Sequence, residues 1–132
     1  MKKSLKLSSD LQNLRVIEKM IDDISLSLDL SDEVYGNVLV ATIEAANNAI
    51  IHGNKLDPEK KISVDLEVLG SELKVAISDQ GNGFDFEHVP DPTAPENREK
   101  INGRGVFLMQ RLSDGILFKD NGRFVELTFN IL

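Results

Sequence analysis

The chain has 132 residues, 41% apolar and 28% charged, a balance typical of one globular domain with a single core, here assigned to residues 1–132. Its formal net charge of −7 argues against general nucleic-acid binding, and the absence of cysteine excludes disulfides, thiolate metal sites and thiol nucleophiles. The first residues, MKKSLKLSSD, lack the apolar segment of a signal peptide, so a cytoplasmic protein without a membrane span is expected.

The N-terminal third is predicted to contain a short strand followed by two helices. Residues 4–8 are expected to form an edge strand, and Ser9 with Gln12 match a capping box that opens a helix running to about Leu28. One apolar stripe runs along this helix, formed by Leu14, Ile17, Ile21, Ile24 and Leu28. Ser31 is placed to cap a second helix of about twenty residues.

The rest of the chain is predicted to form two hairpins separated by a long loop and a short helix. Residues 62–68 and 73–77 alternate apolar and polar side chains, which is typical of paired strands. Residues 84–102 carry three of the four prolines and little periodicity, and we interpret them as a lid. A helix from about Gly105 to Leu112 and a hairpin turning at Asn121–Gly122 complete the chain.

This order of elements predicts an α+β fold. Hairpins pair neighbouring strands antiparallel, so the sheet is expected to be mixed but mostly antiparallel. The helices are expected to form a layer on one face, which makes a two-layer α/β sandwich.

A helical segment with the sequence EAANNAIIHGN carries the first polar constellation. Glu44, Asn48 and His52 recur every four residues and therefore share one face of an otherwise apolar helix. The oxygen atoms of a carboxylate and an amide suit Mg²⁺, a hard cation that also binds substrate phosphates. The alternative is a plain solvated helix face, and the segment alone does not decide between the two.

A second constellation, SDQGNGF, follows directly on a predicted strand. Asp79 can accept a hydrogen bond from an exocyclic amine, and Gly81 and Gly83 let the backbone approach a ligand. By itself this pattern is more often an ordinary turn.

The third constellation, NGRGV, begins at Asn102 and is predicted to open the short helix. Unpaired backbone N–H groups at a helix start attract anions, Gly103 and Gly105 leave the approach open, and Arg104 adds positive charge. A lid hinge is the alternative explanation. The chain contains no G-x-x-x-x-G-K-[ST] motif, which excludes a P-loop.

The three constellations in this order resemble the N, G1 and G2 boxes of the GHKL superfamily, whose Bergerat fold binds ATP between a helical layer and a lid. The resemblance covers about residues 30–132. Within the superfamily, EAANNAIIHGN is most similar to the anti-sigma-factor serine/threonine protein kinases.

The resemblance implies a role for each box. Asn48 would ligate Mg²⁺, Glu44 would act as general base and Asp79 would read the adenine amino group. His52 would be structural or close to the phosphates. The remaining implied ATP-binding residues are Gly81, Gly83, Gly103, Arg104, Gly105 and Val106.

The implied function is a protein kinase that phosphorylates an anti-sigma-factor antagonist and sequesters a sigma factor or similar regulator, as a homodimer. Some members place an arginine two residues before the first G2 glycine, where this chain has Ile101, and Arg98, Lys100 or Arg104 are the candidate substitutes. Because that arginine is missing, a non-catalytic module in which ATP gates partner binding is one alternative function. A detached histidine kinase ATP-binding domain is the second alternative, and it requires a phospho-accepting histidine on another chain.

Overall fold

In the computed structural model, described here for residues 1–81 and 101–132, five strands form one sheet covered by three α-helices. The strands are β1 (Lys2–Ser8), β2 (Lys61–Leu69), β3 (Glu72–Ser78), β4 (Gly115–Lys119) and β5 (Phe124–Asn130). The helices are α1 (Leu14–Leu28), α2 (Asp32–Asn48) and α3 (Ile101–Leu112). The predicted α+β two-layer sandwich is confirmed. Among the described helices, none has the length and apolar character needed to cross a membrane.

The sheet order is β1-β2-β3-β5-β4, and each of these pairings is antiparallel. The expectation of a mixed sheet is therefore wrong for the described strands. In the central register Val64 lies opposite Ile77, and Ile77 lies opposite Val125. Side chains alternate between faces along each strand, so the buried residues of the three inner strands share the helical side. These are Ile62, Val64, Leu66, Leu73, Val75, Ile77, Val125, Leu127 and Phe129.

The start of the first helix differs from the predicted capping box. Asp10, not Ser9, caps a 3₁₀ turn that precedes α1, and its Oδ1 accepts a hydrogen bond from the Gln12 N–H at 2.9 Å. Ser9 is buried, and both its N–H and its hydroxyl donate to the Lys60 carbonyl. The Ser9 hydroxyl is therefore used at Lys60, directly before β2, and does not cap the first helix.

The second helix begins as predicted and ends in an unusual turn. Ser31 caps α2 by accepting from the Val34 N–H at 3.2 Å. Beyond Asn48 the chain continues as a π-helical turn over Ala49–Gly53, here called the π turn, which completes the predicted length. The wider turn ends with the Asn54 N–H donating to the Ala49 carbonyl at 2.8 Å. Such turns re-aim the residues that follow and are frequent at functional sites.

The third helix starts earlier than predicted. It begins at Ile101 and not near Gly105, so the last two residues of the predicted lid belong to α3. The rest of that lid lies outside the described residues. The final hairpin is confirmed, and Asp120, Asn121 and Gly122 all take positive φ angles in its turn.

Candidate functional site

A cleft lies between the C-terminal end of α2, the ends of β3 and β5, and α3. It contains about 440 Å³ of empty space, part of which is open to solvent. Its lining residues are Ala45, Asn48, Ala49, His52, Gly53, Ile77, Asp79, Met109, Phe118, Gly122, Arg123 and Val125. The cleft thus collects residues from the first two predicted constellations, Asn48 and His52 from one and Asp79 from the other.

The inner wall of the cleft is apolar. Ala45 and Ala49 come from the helical layer, Ile77 and Val125 from the sheet, and Met109 from α3, and all five are buried. Small alanines on the helical side leave room for a flat group between helix and sheet. Apolar walls with one polar side chain at the end are typical of sites that bind an aromatic base.

Asp79 is the acidic group of this wall. Its N–H donates to the Arg123 carbonyl at 2.9 Å, and its Oδ1 accepts from the Gly81 N–H at 2.8 Å. Burial raises the pKa of Asp79, while the Gly81 N–H and the Arg123 charge act in the opposite direction. An acceptor held this rigidly in an apolar wall suits recognition of an amino group.

Two glycines bring the π turn and the loop after β3 into backbone contact. A Cβ on Gly53 would lie 2.4 Å from the Asp79 Cγ, and a Cβ on Gly81 would lie 1.9 Å from the Gly53 carbonyl oxygen. Neither separation is possible, so both positions require glycine for close approach. Gly53 was not among the predicted site residues, although it stands in the first motif. Gly83 lies outside the described residues.

Arg123 closes the same loop from the β4–β5 turn and was also missed. Its Nη1 donates to the Gly81 carbonyl at 3.3 Å, and its Nη2 pairs with Asp120 Oδ1 at 2.8 Å. A single arginine after an Asn-Gly turn carries no sequence signal of this role.

The Glu44 and Asn48 side chains, from the first constellation, lie next to Gly105, from the third. The Cβ position of Gly105 lies 3.3 Å from Glu44 Oε2 and 3.8 Å from Asn48 Oδ1. A carboxylate oxygen and an amide oxygen therefore converge beneath the first turns of α3. The Asn48 amide oxygen is a hard donor that fits Mg²⁺, and the Glu44 carboxylate beside it can serve as a base. In the part of the chain that the structure describes, no three His, Cys, Asp or Glu side chains form a larger metal cluster.

His52 lines the cleft without a polar partner in the described ranges. Its Nε2 is buried and accepts or donates no hydrogen bond there. Burial, with a smaller contribution from the Lys55 charge, lowers the pKa of His52 below its ordinary value of 6.5. His52 is consequently neutral at pH 7.

The third constellation is only partly placed as predicted. Gly105 is the fifth residue of α3, so the unpaired N–H groups of this helix precede it, contrary to the predicted helix start. Arg104 is exposed, and Val106 is fully buried in the core, where its side chain contributes packing. Gly103 lies in the first turn, and Ile101 is the first helical residue. Arg98, Lys100 and His88 lie outside the described residues.

Comparison with known proteins identifies related sequences across most of the chain. A family model described as a histidine kinase-like ATPase domain matches residues 7–129. The serine-protein kinase RsbW of Listeria innocua serovar 6a is 31% identical over 105 residues, covering 74% of this chain and 67% of that protein. RsbW of Staphylococcus aureus strain bovine RF122 is 30% identical over 100 residues, covering 67% of this chain and 61% of its own. The chain thus spans about two thirds of these relatives.

A solved structure shares the fold. The crystal structure of the RsbU and RsbW domains of Rv1364c from Mycobacterium tuberculosis matches 99% of this chain and 32% of that one, with a TM-score of 0.73. Sequence identity over this match is 13%, so the likeness is one of fold alone.

Proposed function

Because the chain belongs to the histidine kinase-like ATPase domain family, we propose that it binds ATP in this cleft and transfers the terminal phosphoryl group to a serine or threonine of a protein. One observation carries the proposal. A half-buried acceptor, Asp79, lies in the apolar wall, and Glu44 and Asn48 converge at Gly105. The chain therefore offers a base-reading group and an oxygen-lined site for phosphates and metal.

The adenine base occupies the apolar part of the cleft. Its ring lies between Ala45 and Ala49 on one side and Ile77 on the other, and its amino group donates to Asp79. Guanine presents a carbonyl at the same position, which would face the Asp79 carboxylate and be rejected. Unpaired buried polar groups give discrimination of this kind.

The phosphates extend from the base toward Gly105 and the start of α3. Asn48 would hold Mg²⁺ there, and the ion when bound would neutralise phosphate charge, while Glu44 stays free to accept a proton. Gly103 and Gly105 leave room for the triphosphate, and Arg104 adds positive charge from the exposed face. Gly83 and Val106 remain predicted contributors to the nucleotide site.

Phosphoryl transfer then follows the usual in-line displacement. The acceptor hydroxyl oxygen forms a bond to the γ-phosphorus as the bond from that phosphorus to the β,γ-bridging oxygen breaks, and ADP leaves. The hydroxyl proton passes to the Glu44 carboxylate, which is the general base. Positioning and charge neutralisation supply most of the catalysis in such reactions.

The biological reading of the proposal is a regulatory kinase of the anti-sigma-factor type. Its substrate is an anti-sigma-factor antagonist, its second partner is a sigma factor or similar regulator, and it acts as a cytoplasmic homodimer. The relatives named serine-protein kinase RsbW support the kinase part of this proposal, and the resemblance of the site motifs supports the partners, the location and the dimer.

The experiment compares binding with transfer in Glu44→Gln. The variant keeps the side-chain shape and loses the base, so we expect ATP affinity within about threefold of wild type and phosphorylation of a purified antagonist protein lowered by roughly a hundredfold. Labelled ATP and a filter assay measure transfer, and calorimetry measures affinity. Equal transfer rates in the two proteins would contradict the role of Glu44.

A second candidate function is an ATP-gated binding module without transfer, and Ile101 favours it. This residue stands at the first position of α3, where some kinases of the family carry an arginine for the terminal phosphate. ATP-dependent binding of a partner with no detectable phosphate transfer by the wild type would select this function.

A further inference from the structure

Asn54 is a buried polar residue directly behind the π turn, and every polar group it carries is engaged. Its side-chain Nδ2 donates to Ser9 Oγ at 2.7 Å and to the Lys61 carbonyl at 3.1 Å. Its Oδ1 accepts from the Gln80 N–H at 2.7 Å. Its backbone N–H closes the π turn. Full satisfaction is expected of a buried amide, because a buried polar group left without a hydrogen bond is destabilising.

These bonds join segments that are distant in the sequence. Ser9 directly follows β1, Lys61 starts β2, and Gln80 lies in the loop after β3. The Gln80 side chain closes the circuit, since its Oε1 accepts from the Lys61 N–H at 2.7 Å. We call the set Ser9, Asn54, Lys61 and Gln80 the Asn54 network.

The network ends at the residue next to Asp79. The Gln80 N–H belongs to the peptide that follows Asp79, so fixing it fixes the position of the Asp79 main chain on the helical side. Gly53, the residue before Asn54, packs closely against the Asp79 carboxylate, since a Cβ there would lie 2.4 Å from the Asp79 Cγ. Asn54 and Gly53 together hold the loop after β3, which contains Asp79, against the π turn. Asn54 itself is not among the residues that line the cleft.

We infer that Asn54 is a positioning residue that sets base specificity by holding the Gln80 peptide, and through it Asp79, in register with the cleft. Asn54 does not line the cleft and acts through the Gln80 peptide. The inference rests on the proposed function, because it assumes that Asp79 reads the base. A merely structural role would lower stability without altering the preference for ATP over GTP.

The test measures that preference by calorimetry in Asn54→Ala and in Ser9→Ala as the matched control. Both variants remove a partner of the network and both are expected to lower the melting temperature. Only Asn54→Ala releases the Gln80 N–H, so we expect its ATP-to-GTP affinity ratio to fall by about tenfold, the effect of roughly one hydrogen bond. Ser9→Ala is expected to keep the wild-type ratio within about twofold.

An unchanged ratio in folded Asn54→Ala would overturn the inference. Asp79→Asn separates this failure from failure of the proposed function. If Asp79→Asn also keeps the wild-type ratio, Asp79 does not read the base. If Asp79→Asn alone loses the preference, the site stands and only the role of Asn54 is wrong.

A measurement on the wild type covers the case in which Asn54→Ala does not fold. The Gln80 amide should exchange with deuterium slowly in the nucleotide-free protein, protected to the same degree as the Asn54 amide. Exchange of Gln80 at the rate of an unstructured peptide would show that the loop is not held before ATP binds and would overturn the inference.

Discussion

Asp79 is tuned for recognition at a cost in stability. Burial raises the pKa of Asp79 in the folded protein above its ordinary value of 3.8. The folded state therefore binds the proton more tightly than the unfolded state, and stability is lost as pH rises from about 3.8 through the raised pKa. At neutral pH the ionised carboxylate is a destabilising group retained in the cleft.

The first prediction concerns Asp79→Asn. The amide keeps an oxygen for the Gly81 N–H but removes the half-buried charge, so the nucleotide-free variant should melt at a higher temperature than wild type at pH 7. The difference should shrink as pH approaches the ordinary pKa of 3.8. ATP affinity should fall by about ten- to a hundredfold. A variant that is less stable than wild type at pH 7 would refute this reading of the site.

The second prediction concerns acid sensitivity. His52 has a lowered pKa in the folded protein, so its contribution to stability is present above 6.5 and is lost as pH falls from 6.5 through the lowered pKa. His52→Gln should therefore lose less melting temperature than wild type between pH 7.5 and pH 5.5. His88→Gln, at the other histidine, serves as control. Identical pH profiles of the melting temperature for wild type and His52→Gln would show that His52 is not the source of the acid sensitivity.

Residue type and spacing singled out Asn48, His52 and Asp79, and the structure brings these three side chains to one cleft. Asn48 lies on an otherwise apolar helix and Asp79 directly after a strand. A polar side chain at such a position has to face solvent or a ligand, and this marks both residues in the sequence. Asn54 and Arg123 were missed. Their importance depends on hydrogen bonds to segments far along the chain, and no local pattern reports those.

Helix α3 shows how glycines mislead a prediction of helix boundaries. Gly103 and Gly105 have low helix propensity and indicated a start near residue 105, whereas the helix begins at Ile101. The packing of α3 against α2 explains why a glycine stands inside this helix. A Cβ on Gly105 would come within 3.3 Å of Glu44 Oε2. Glycine is needed there for close approach between helices, and the helix tolerates it.

The third prediction uses two helical glycines as a matched pair. Gly105→Ala puts a methyl 3.3 Å from Glu44 Oε2, while Gly36→Ala, in α2, meets nothing within 4 Å. Both gain helix propensity of roughly 0.5–1 kcal/mol. Gly105→Ala should lower phosphoryl transfer by about tenfold or more through displacement of Glu44, and Gly36→Ala should leave it unchanged. Equal activity of the two variants would argue against a catalytic site at Gly105.

The fourth prediction addresses the contact between the π turn and the Asp79 loop. Gly81→Ala places a Cβ 1.9 Å from the Gly53 carbonyl oxygen, so one of the two backbone segments has to move. We expect ATP binding to weaken by about a hundredfold, because the base-reading group moves with the loop. Equilibrium binding with a fluorescent ATP analogue measures it. Wild-type affinity for ATP in Gly81→Ala would contradict the prediction, because it would mean that the loop after β3 moves without displacing Asp79.

The assembly of the elements was predictable only in part. Alternation identified both hairpins, and their pairing followed from short connections. The position of β5 between β3 and β4 could not be predicted in this way, because it depends on a crossover connection that local periodicity does not encode. That crossover brings Arg123 and Val125 beside Asp79 and Ile77, and so builds the cleft from residues that the sequence keeps more than forty positions apart.

The central claim is that this cleft is an adenine-specific nucleotide site, and calorimetry of the wild type with ATP and with GTP in the presence of Mg²⁺ tests it most directly. We predict one ATP per chain, bound at least about tenfold more tightly than GTP, with the preference removed in Asp79→Asn. No binding of ATP, or equal affinity for both nucleotides that Asp79→Asn leaves unaltered, would contradict it.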